Sequence, residues 1–409
     1  MTASSSDLNP EVFEAFRTPA FRRMWPAALF GYIGGSMEMT ITSWLVLQLT
    51  NSPEKVSFLG VSRLAPTLIL GLFLGSLADR YSRRNLILIS QALVTLFAAL
   101  MLFRLSVNAV DAWFVIVQVL FVGVSSTLLF SSWRSYCSDV FSPSQLANAM
   151  SLDVVAFRAA RMIGPLLGGG LIALVGYAWT YALITTLYLG AFLLMHTVHG
   201  DGSYVPRKSA ATTKTHMGDA FRVIASNRAL GAILLLTLVM NLFGFPYEEM
   251  VSVFARDVLR VGSTLYGLLG AGAGLASLLG SLAIASRRVR RQRTLFSLGA
   301  VLTMLALVPF ALSSRYWASF LLLSLSGLAG AGFDTMQFTI LLQAVPPEIR
   351  GRMMGITTLA IGMMPVGILA LGQLTEALGP QMALALMEGT GVLAALLLLG
   401  YFPELLDRT

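Results

Sequence analysis

The sequence predicts an all-α membrane protein with twelve transmembrane helices in two six-helix, pseudo-symmetric halves. Hydrophobic residues make up 56% of the 409 residues, charged residues make up 12%, and the mean hydropathy is +0.76. Soluble domains carry roughly a quarter charged residues. Apolar segments of bilayer length recur along the chain, and short motifs of the first half return in the second.

Each spanning helix needs about 20 mostly apolar residues. That length predicts helices near 25–48, 56–78, 85–104, 112–134, 149–174, 177–196, 229–252, 264–286, 294–313, 316–341, 355–378 and 381–401. The longest polar interruption falls between the sixth and seventh helices. We therefore predict a cytoplasmic N-terminal segment (1–24), a six-helix half (25–197), a cytoplasmic linker (198–228), a second half (229–402) and a cytoplasmic tail (403–409).

Basic residues predict the orientation. Of the 28 Lys and Arg residues, 22 fall in segments on the linker side of the membrane and five on the other side. Cytoplasmic loops carry such an excess, so we predict a multi-pass protein of the cell inner membrane with both termini inside. The net charge of +8 is scattered between apolar segments, which indicates membrane loops and excludes nucleic acid as the partner.

Two motifs relate the halves. The sequence of residues 15–17 returns at 220–222, before the first helix of each half, and that of 75–78 returns at 280–283, at the end of each second helix. Both pairs are displaced by 205 residues. Parallel repeats of this kind are typical of a large class of secondary transporters.

The segment from Gly75 to Arg84 resembles the signature loop of the major facilitator superfamily, and this resemblance implies that superfamily's fold. It has a glycine, an Asp-Arg pair and two further basic residues: Gly75, Asp79, Arg80, Arg83 and Arg84. The resemblance implies that Asp79 braces the inner end of helix 11 and locks one conformation. Glycine is expected where helices approach closely. The second half has Ile284 in place of Asp79, so one lock is expected.

Helix 5 contains a motif similar to one of the exporter branches of this superfamily, formed by Gly164, Pro165, Gly168 and Gly169. Gly164 and Gly168 have GxxxG spacing, which favours close helix packing. In this fold helices 5 and 8 abut across the two halves. We therefore expect the helix 5 glycines to pack against the small residues of helix 8, Gly267, Gly270, Ala273 and Gly274.

Smaller motifs at 16–25, 44–53, 145–149 and 347–352 resemble the drug and siderophore exporters related to the enterobactin exporter. The resemblance implies a monomeric secondary transporter that exports a small amphipathic molecule by alternating access, with the proton gradient as energy source and no cofactor. An importer or a lipid-linked translocator of the same fold remains the alternative within transport.

Charged residues inside the bilayer cost about 3 kcal/mol or more, so they mark function. Glu38 in helix 1 and Asp334 in helix 10 are our candidates for binding protons or cargo, because both helices line the cavity of this fold. Arg63 of helix 2 is expected to form an outer gating pair with Glu376 of helix 11, although Glu38 or the pair 248–249 would compete for it.

Other charged residues also lie within the predicted helices. Asp153, Arg158 and Arg161 are expected to form an inner salt-bridge cluster at the start of helix 5, while Glu388 of helix 12 has no predicted partner. Glu248 and Glu249 remain candidates for the headgroup region as well as for pairing with Arg63.

The residue types in the sequence also bear on whether the protein is an enzyme or a channel rather than a transporter. One cysteine and three widely spaced histidines give no pattern for a metal site or a membrane enzyme. A Gly-x-x-x-x-Gly-Lys-Ser/Thr loop is missing from the sequence, so ATP hydrolysis by this chain is excluded. A multi-pass enzyme or a channel remains as the alternative from another class. The predicted partners are a small-molecule cargo and the lipid bilayer.

Overall fold

The helices follow the predicted segments closely. A computed structural model describes residues 14–141, 143–198, 227–286, 289–345 and 350–406. The first half contains α1 (Pro19–Thr50), α2 (Pro53–Arg80), α3 (Arg83–Ser106), α4 (Ala112–Val140) and the run Pro143–His196, divided into α5 (143–175) and α6 (177–196). The second half contains α7 (Arg228–Val258), α8 (Ser263–Ala285), α9 (Gln292–Leu312), α10 (Tyr316–Gln343), α11 (350–378) and α12 (Pro380–Tyr401).

These elements confirm the twelve-helix prediction. Nine helical stretches of the described chain are long and apolar enough to span a bilayer, and one of them, Gln145–His196, holds both α5 and α6. The helices α1 and α2, with 32 and 28 residues, complete the set. Most of the predicted linker (199–226) lies outside the described residues, so its boundaries stay a prediction.

Single glycines separate the last two helices of each half. Gly176 (φ +80°) lies between α5 and α6, and Gly379 (φ +79°) lies between α11 and α12. Positive φ is a conformation that glycine adopts without steric cost. The two breaks occupy equivalent places in the repeat, which is why each half ends in a closely spaced helix pair.

The first helix of the second half is irregular. Two π-helical turns, Met240–Gly244 and Phe254–Val258, interrupt α7. Pro246 follows the first of them and lacks the N–H that a regular helix needs. Single π-helical turns are frequent at functional sites. The first of the two, Met240–Gly244, precedes the acidic residues Glu248 and Glu249 of α7.

The buried core is shared by the halves at one end only. We call the end that contains residues 198 and 227 the linker end, and the other the opposite end. At the opposite end one apolar cluster includes residues of both halves, among them Trp44, Leu59, Phe254 and Leu371. Toward the linker end each half has its own cluster. The halves are therefore packed together at the opposite end and separately toward the linker end, with a cleft between them.

Candidate functional site

Three ion pairs cross between the halves in the cleft region. Arg63 Nη1 lies 2.7 Å from Glu249 Oε1, Arg161 Nη2 lies 2.6 Å from Glu248 Oε2, and Arg158 Nη2 lies 3.8 Å from Asp334 Oδ2. In all three pairs the arginine belongs to the first half and the carboxylate to the second. Any motion that separates the halves has to break them.

The exposure of these side chains shows how far the cleft extends. Arg161 and Asp334 are 45% and 40% exposed, although both lie well inside spanning helices. Charged residues within a membrane face a water-filled cavity or a partner rather than lipid. Glu249 is only 2% exposed. The cleft therefore extends from the linker end to Arg161 and Asp334, and it is closed at Arg63 and Glu249.

Of the partners considered for Arg63, the structure shows the acidic pair 248–249, through Glu249, and not Glu376. Arg63 binds Glu249 and also donates to Thr42 Oγ1 at 3.2 Å. Glu376 accepts instead from Ser52 Oγ at 2.6 Å. Arg63 lies eleven residues beyond Ser52, or about 16 Å along the helix axis, so Glu376 at the end of α11 cannot reach it.

Further polar contacts close the opposite end. Besides the bond from Ser52 to Glu376, Arg256 of α7 donates to Leu47 O at 2.7 Å and to Asn51 Oδ1 at 2.9 Å. Trp44 of α1 stacks on Tyr266 of α8, with ring centroids 5.2 Å apart. These contacts all join one half to the other, so they bind the two halves together at the opposite end.

Glu38 lies inside the first half rather than on the wall of the cleft. It is 4% exposed, and Gln118 Nε2 donates to its Oε1 at 2.8 Å, while Tyr188 Oη donates to its Oε2 at 2.7 Å. Its carboxyl group therefore bridges α1, α4 and α6. The sequence placed Glu38 on a cavity-lining helix but could not show which face of the helix carries it.

The expected role of Gly164 and Gly168 against helix 8 is wrong, because both face α1. A Cβ atom at Gly164 would overlap Ser36, and one at Gly168 would lie 3.4 Å from Met37 O. The GxxxG spacing therefore marks the crossing of α5 with α1 within the first half. Neighbouring residues of a helix are rotated by about 100°, so the next glycine faces a different helix.

The contact between α5 and α8 is carried by Gly169 and Pro165. A Cβ atom at Gly169 would overlap Ser263 O and lie 2.8 Å from Gly267 Cα. On α8, Gly267, Gly270 and Gly274 all face α5, where they meet Pro165, Gly169 and Arg161. The predicted small face of α8 is thus present, apart from Ala273, which Gly327 of α10 contacts. The two halves touch here backbone to backbone.

The loop between α2 and α3 is held to the first half. Arg83 pairs with Asp139 at 2.6 Å, and Arg84 donates to Val198 O and His196 O, both at 2.7 Å. A Cβ atom at Gly75 would meet no described atom within 4 Å, so the close approach expected there is absent in this conformation. Arg80 is exposed at the end of α2.

The role of Asp79 stays a prediction. Its backbone belongs to α2, but its side chain lies outside what the structure describes. The same holds for the side chains at the start of α11, near residues 350–352, which Asp79 is expected to brace.

The predicted cluster of Asp153, Arg158 and Arg161 is wrong. Asp153 accepts from Tyr32 Oη at 3.1 Å and from Trp133 Nε1 at 3.2 Å within the first half. The two arginines reach across the cleft to Asp334 and Glu248 instead. Asp153 lies about two helical turns from Arg161, and its side chain faces the interior of its own half.

The acidic pair Glu248 and Glu249 has a larger role in joining the halves than the sequence indicated. Both bind arginines of the first half, and neither is in a headgroup position. Their signal was available, because two adjacent acids interrupt an apolar segment of 31 residues two positions after Pro246. No group of three metal-ligating side chains occurs within the described ranges.

Sequence and structure comparisons agree with this architecture. The family model described as "Transmembrane secretion effector" matches residues 11–406. The multidrug efflux pump Tap of Mycobacterium tuberculosis is 26% identical over 381 residues, covering 89% of this chain and 88% of Tap. The enterobactin exporter EntS of Salmonella typhimurium is 25% identical over 399 residues, covering 95% and 93%.

Solved transporter structures share the fold. A bacterial homologue of the human lysosomal transporter Spinster, in an inward-facing conformation, superposes with a TM-score of 0.70 at 14% identity over 96% of both chains. A D-xylose–proton symporter superposes with a TM-score of 0.75 at 14% identity, over 97% of this chain and all of the other. At this level of identity the likeness concerns the fold alone.

Proposed function

Because the chain belongs to the transmembrane secretion effector family of the major facilitator superfamily, we propose that it is a proton-coupled exporter of small amphipathic molecules. A multi-pass membrane transporter of small molecules, and not an enzyme, is what this membership and the relatives establish. Export, proton coupling, alternating access and residence in the inner membrane with both termini inside are the finer parts of the proposal.

The cross-half ion pairs carry the proposal. The halves share a core at the opposite end and are bound there by the Arg63–Glu249 pair, while Arg161 and Asp334 are accessible in the cleft. Alternating access requires that such contacts break at one end and form at the other. Because each acid lies in the second half and each base in the first, protonation of an acid weakens the attraction between the halves.

A proton gradient is sufficient as the source of energy. One elementary charge moved across about 100 mV releases about 2.3 kcal/mol, and each tenfold cargo gradient costs about 1.4 kcal/mol. One proton therefore supports a cargo gradient of roughly fortyfold. The efflux activity of the relatives, named for drugs and for enterobactin, supports the choice of an amphipathic cargo.

The test is transport by inside-out vesicles under an imposed pH gradient. Vesicles with the protein, but not vesicles without it, are expected to accumulate at least one of ethidium, rhodamine 6G and enterobactin, and to lose that accumulation when a protonophore collapses the gradient. Accumulation only in right-side-out vesicles would support the importer instead. Equilibration without accumulation under any gradient would indicate a channel.

A further inference from the structure

A second buried carboxyl group lies in the second half, at Glu388 of α12. It is fully buried, and neither Oε1 nor Oε2 has a hydrogen-bond partner in the described part of the chain. Glu388 is the ninth residue of a 22-residue helix, so it lies about 12 Å along the axis from the helix start. Neither end of the helix is close enough for this side chain to reach water.

The surroundings of Glu388 differ from those of Glu38. Each oxygen of Glu38 accepts a hydrogen bond, from Gln118 and from Tyr188, an arrangement that suits an ionised carboxylate. Among the residues that the structure describes, neither a hydrogen-bond donor nor a cation pairs with Glu388. An isolated ionised carboxylate in an apolar interior is so costly that the group neutralises instead. In this conformation Glu388 is therefore held as the neutral acid, with a proton bound.

The helices packed against α12 are α7, α9 and α11, and they bring few charges near Glu388. Tyr247 of α7 lies in the same buried apolar cluster as Met387, the residue before Glu388. The other described charges of these helices have different neighbours. Glu248 and Glu249 pair with Arg161 and Arg63, Arg256 pairs with Asp257, Arg228 pairs with Glu404, Arg293 contacts Glu404 O, and Glu376 accepts from Ser52.

Helix α7 connects the surroundings of this acid to the cleft. The π-helical turn of α7 packs directly on α12, since a Cβ atom at Gly391 would lie 2.8 Å from Phe243 Cβ. The helix that carries the cross-half ion pairs of Glu248 and Glu249 is therefore in contact with the helix that carries Glu388.

We infer that Glu388 is a proton-binding site of the transport cycle. In the conformation described here its carboxyl group retains a proton that it took up from water. In the other conformation, the movement of α7 admits water, the O–H bond breaks, and water on the other side of the membrane accepts the proton. This inference rests on the proposed proton-coupled function, but the protonation of Glu388 is measurable without any cargo.

The first measurement is infrared spectroscopy of the purified protein at neutral pH. The wild type minus Glu388→Gln difference spectrum is expected to show a carbonyl stretching band of a carboxylic acid, because the variant removes one neutral acid. Glu54→Gln, which alters a partly exposed carboxyl group at the start of α2, is the matched control and should remove carboxylate bands instead. A difference spectrum with carboxylate bands alone would show that Glu388 is ionised and would overturn the inference.

The second measurement separates proton coupling from structure. Glu388→Gln and Glu388→Leu are expected to keep the wild-type melting temperature or exceed it, because neither removes a hydrogen bond. Both should exchange internal for external ethidium at the wild-type rate without a gradient, yet fail to accumulate it on a pH gradient. Accumulation at the wild-type level would show that the proton on Glu388 does not cycle. If the wild type itself accumulates no probe, the proposed function fails, and with it the transport role of Glu388.

Discussion

At the scale of the residue, the protein places several carboxyl groups where water is scarce and gives each a different neighbour. Glu249 has an arginine, Glu38 has two neutral donors, and Glu388 has no hydrogen-bond partner within the described chain. Because burial penalises charge strongly, the three carboxyl groups differ in what compensates the cost of their burial.

Glu38 remains our first candidate for coupling in the first half. We predict that Glu38→Gln abolishes gradient-driven accumulation of the cargo probe while its binding is preserved. Glutamine is close in shape to the protonated acid, and Tyr188 and Gln118 can each donate or accept, so the bridge between α1, α4 and α6 is retained. The measurement is uptake into inside-out vesicles beside a binding titration. Normal uptake by Glu38→Gln would shift attention to Asp334.

The sequence identified most of these residues but only some of their partners. Arg63 was singled out because an arginine inside an apolar helix requires a compensating partner, and the acidic pair that contains Glu249 was among those considered. Depth counted along single helices also suggested Glu376, but Glu376 binds Ser52, which lies about 16 Å along α2 from Arg63. Pairing between helices depends on tertiary packing, which one sequence does not encode in its periodicity.

At the scale of the element, α5 presents two glycine surfaces to two neighbours. Gly164 and Gly168 face α1 in the same half, whereas Gly169 faces α8 in the other half. The boundary between α5 and α6 was predicted at residues 175–176, and Gly176 lies there, because a glycine between two apolar segments is a strong local signal. The faces of α5 were not predictable, because three consecutive glycines (168–170) give no preferred side.

The α8-facing surface of α5 leads to a prediction with an internal control. Gly169→Leu should abolish transport and lower the stability by about 1–3 kcal/mol, the usual cost of overpacking, because a Cβ atom there already overlaps Ser263 O. Gly170→Leu makes the same change at the next residue, where an added Cβ atom meets nothing within 4 Å, and should transport normally. The measurements are vesicle uptake and thermal unfolding in detergent. Equal behaviour of the two variants would contradict the backbone contact.

At the scale of the whole molecule, the halves are related by sequence but joined asymmetrically. Composition and helix count were enough to predict the twelve-helix architecture, because a bilayer permits few ways of satisfying the backbone. Composition and helix count did not predict which conformation the protein adopts. In the conformation described, the halves are held together by the contacts of the opposite end, Ser52 with Glu376 and Arg256 with Asn51, and by the core that the halves share beneath them.

The contacts at the opposite end provide the final prediction, which tests whether they act as a gate. Ser52 and Glu376 belong to different halves and their side chains are 2.6 Å apart, so cysteines at both positions should react together with a short bis-methanethiosulfonate reagent, whose two disulfide links can be reduced. In a Cys137→Ala background, the cross-linked Ser52→Cys/Glu376→Cys protein is expected to lose transport completely and to regain it on reduction, because α2 and α11 must separate there for cargo to leave. The single-cysteine variants treated with the same reagent are the controls and should keep their activity. Undiminished transport by fully cross-linked protein would show that the gate at Ser52 stays closed throughout the cycle, which is incompatible with alternating access through this end.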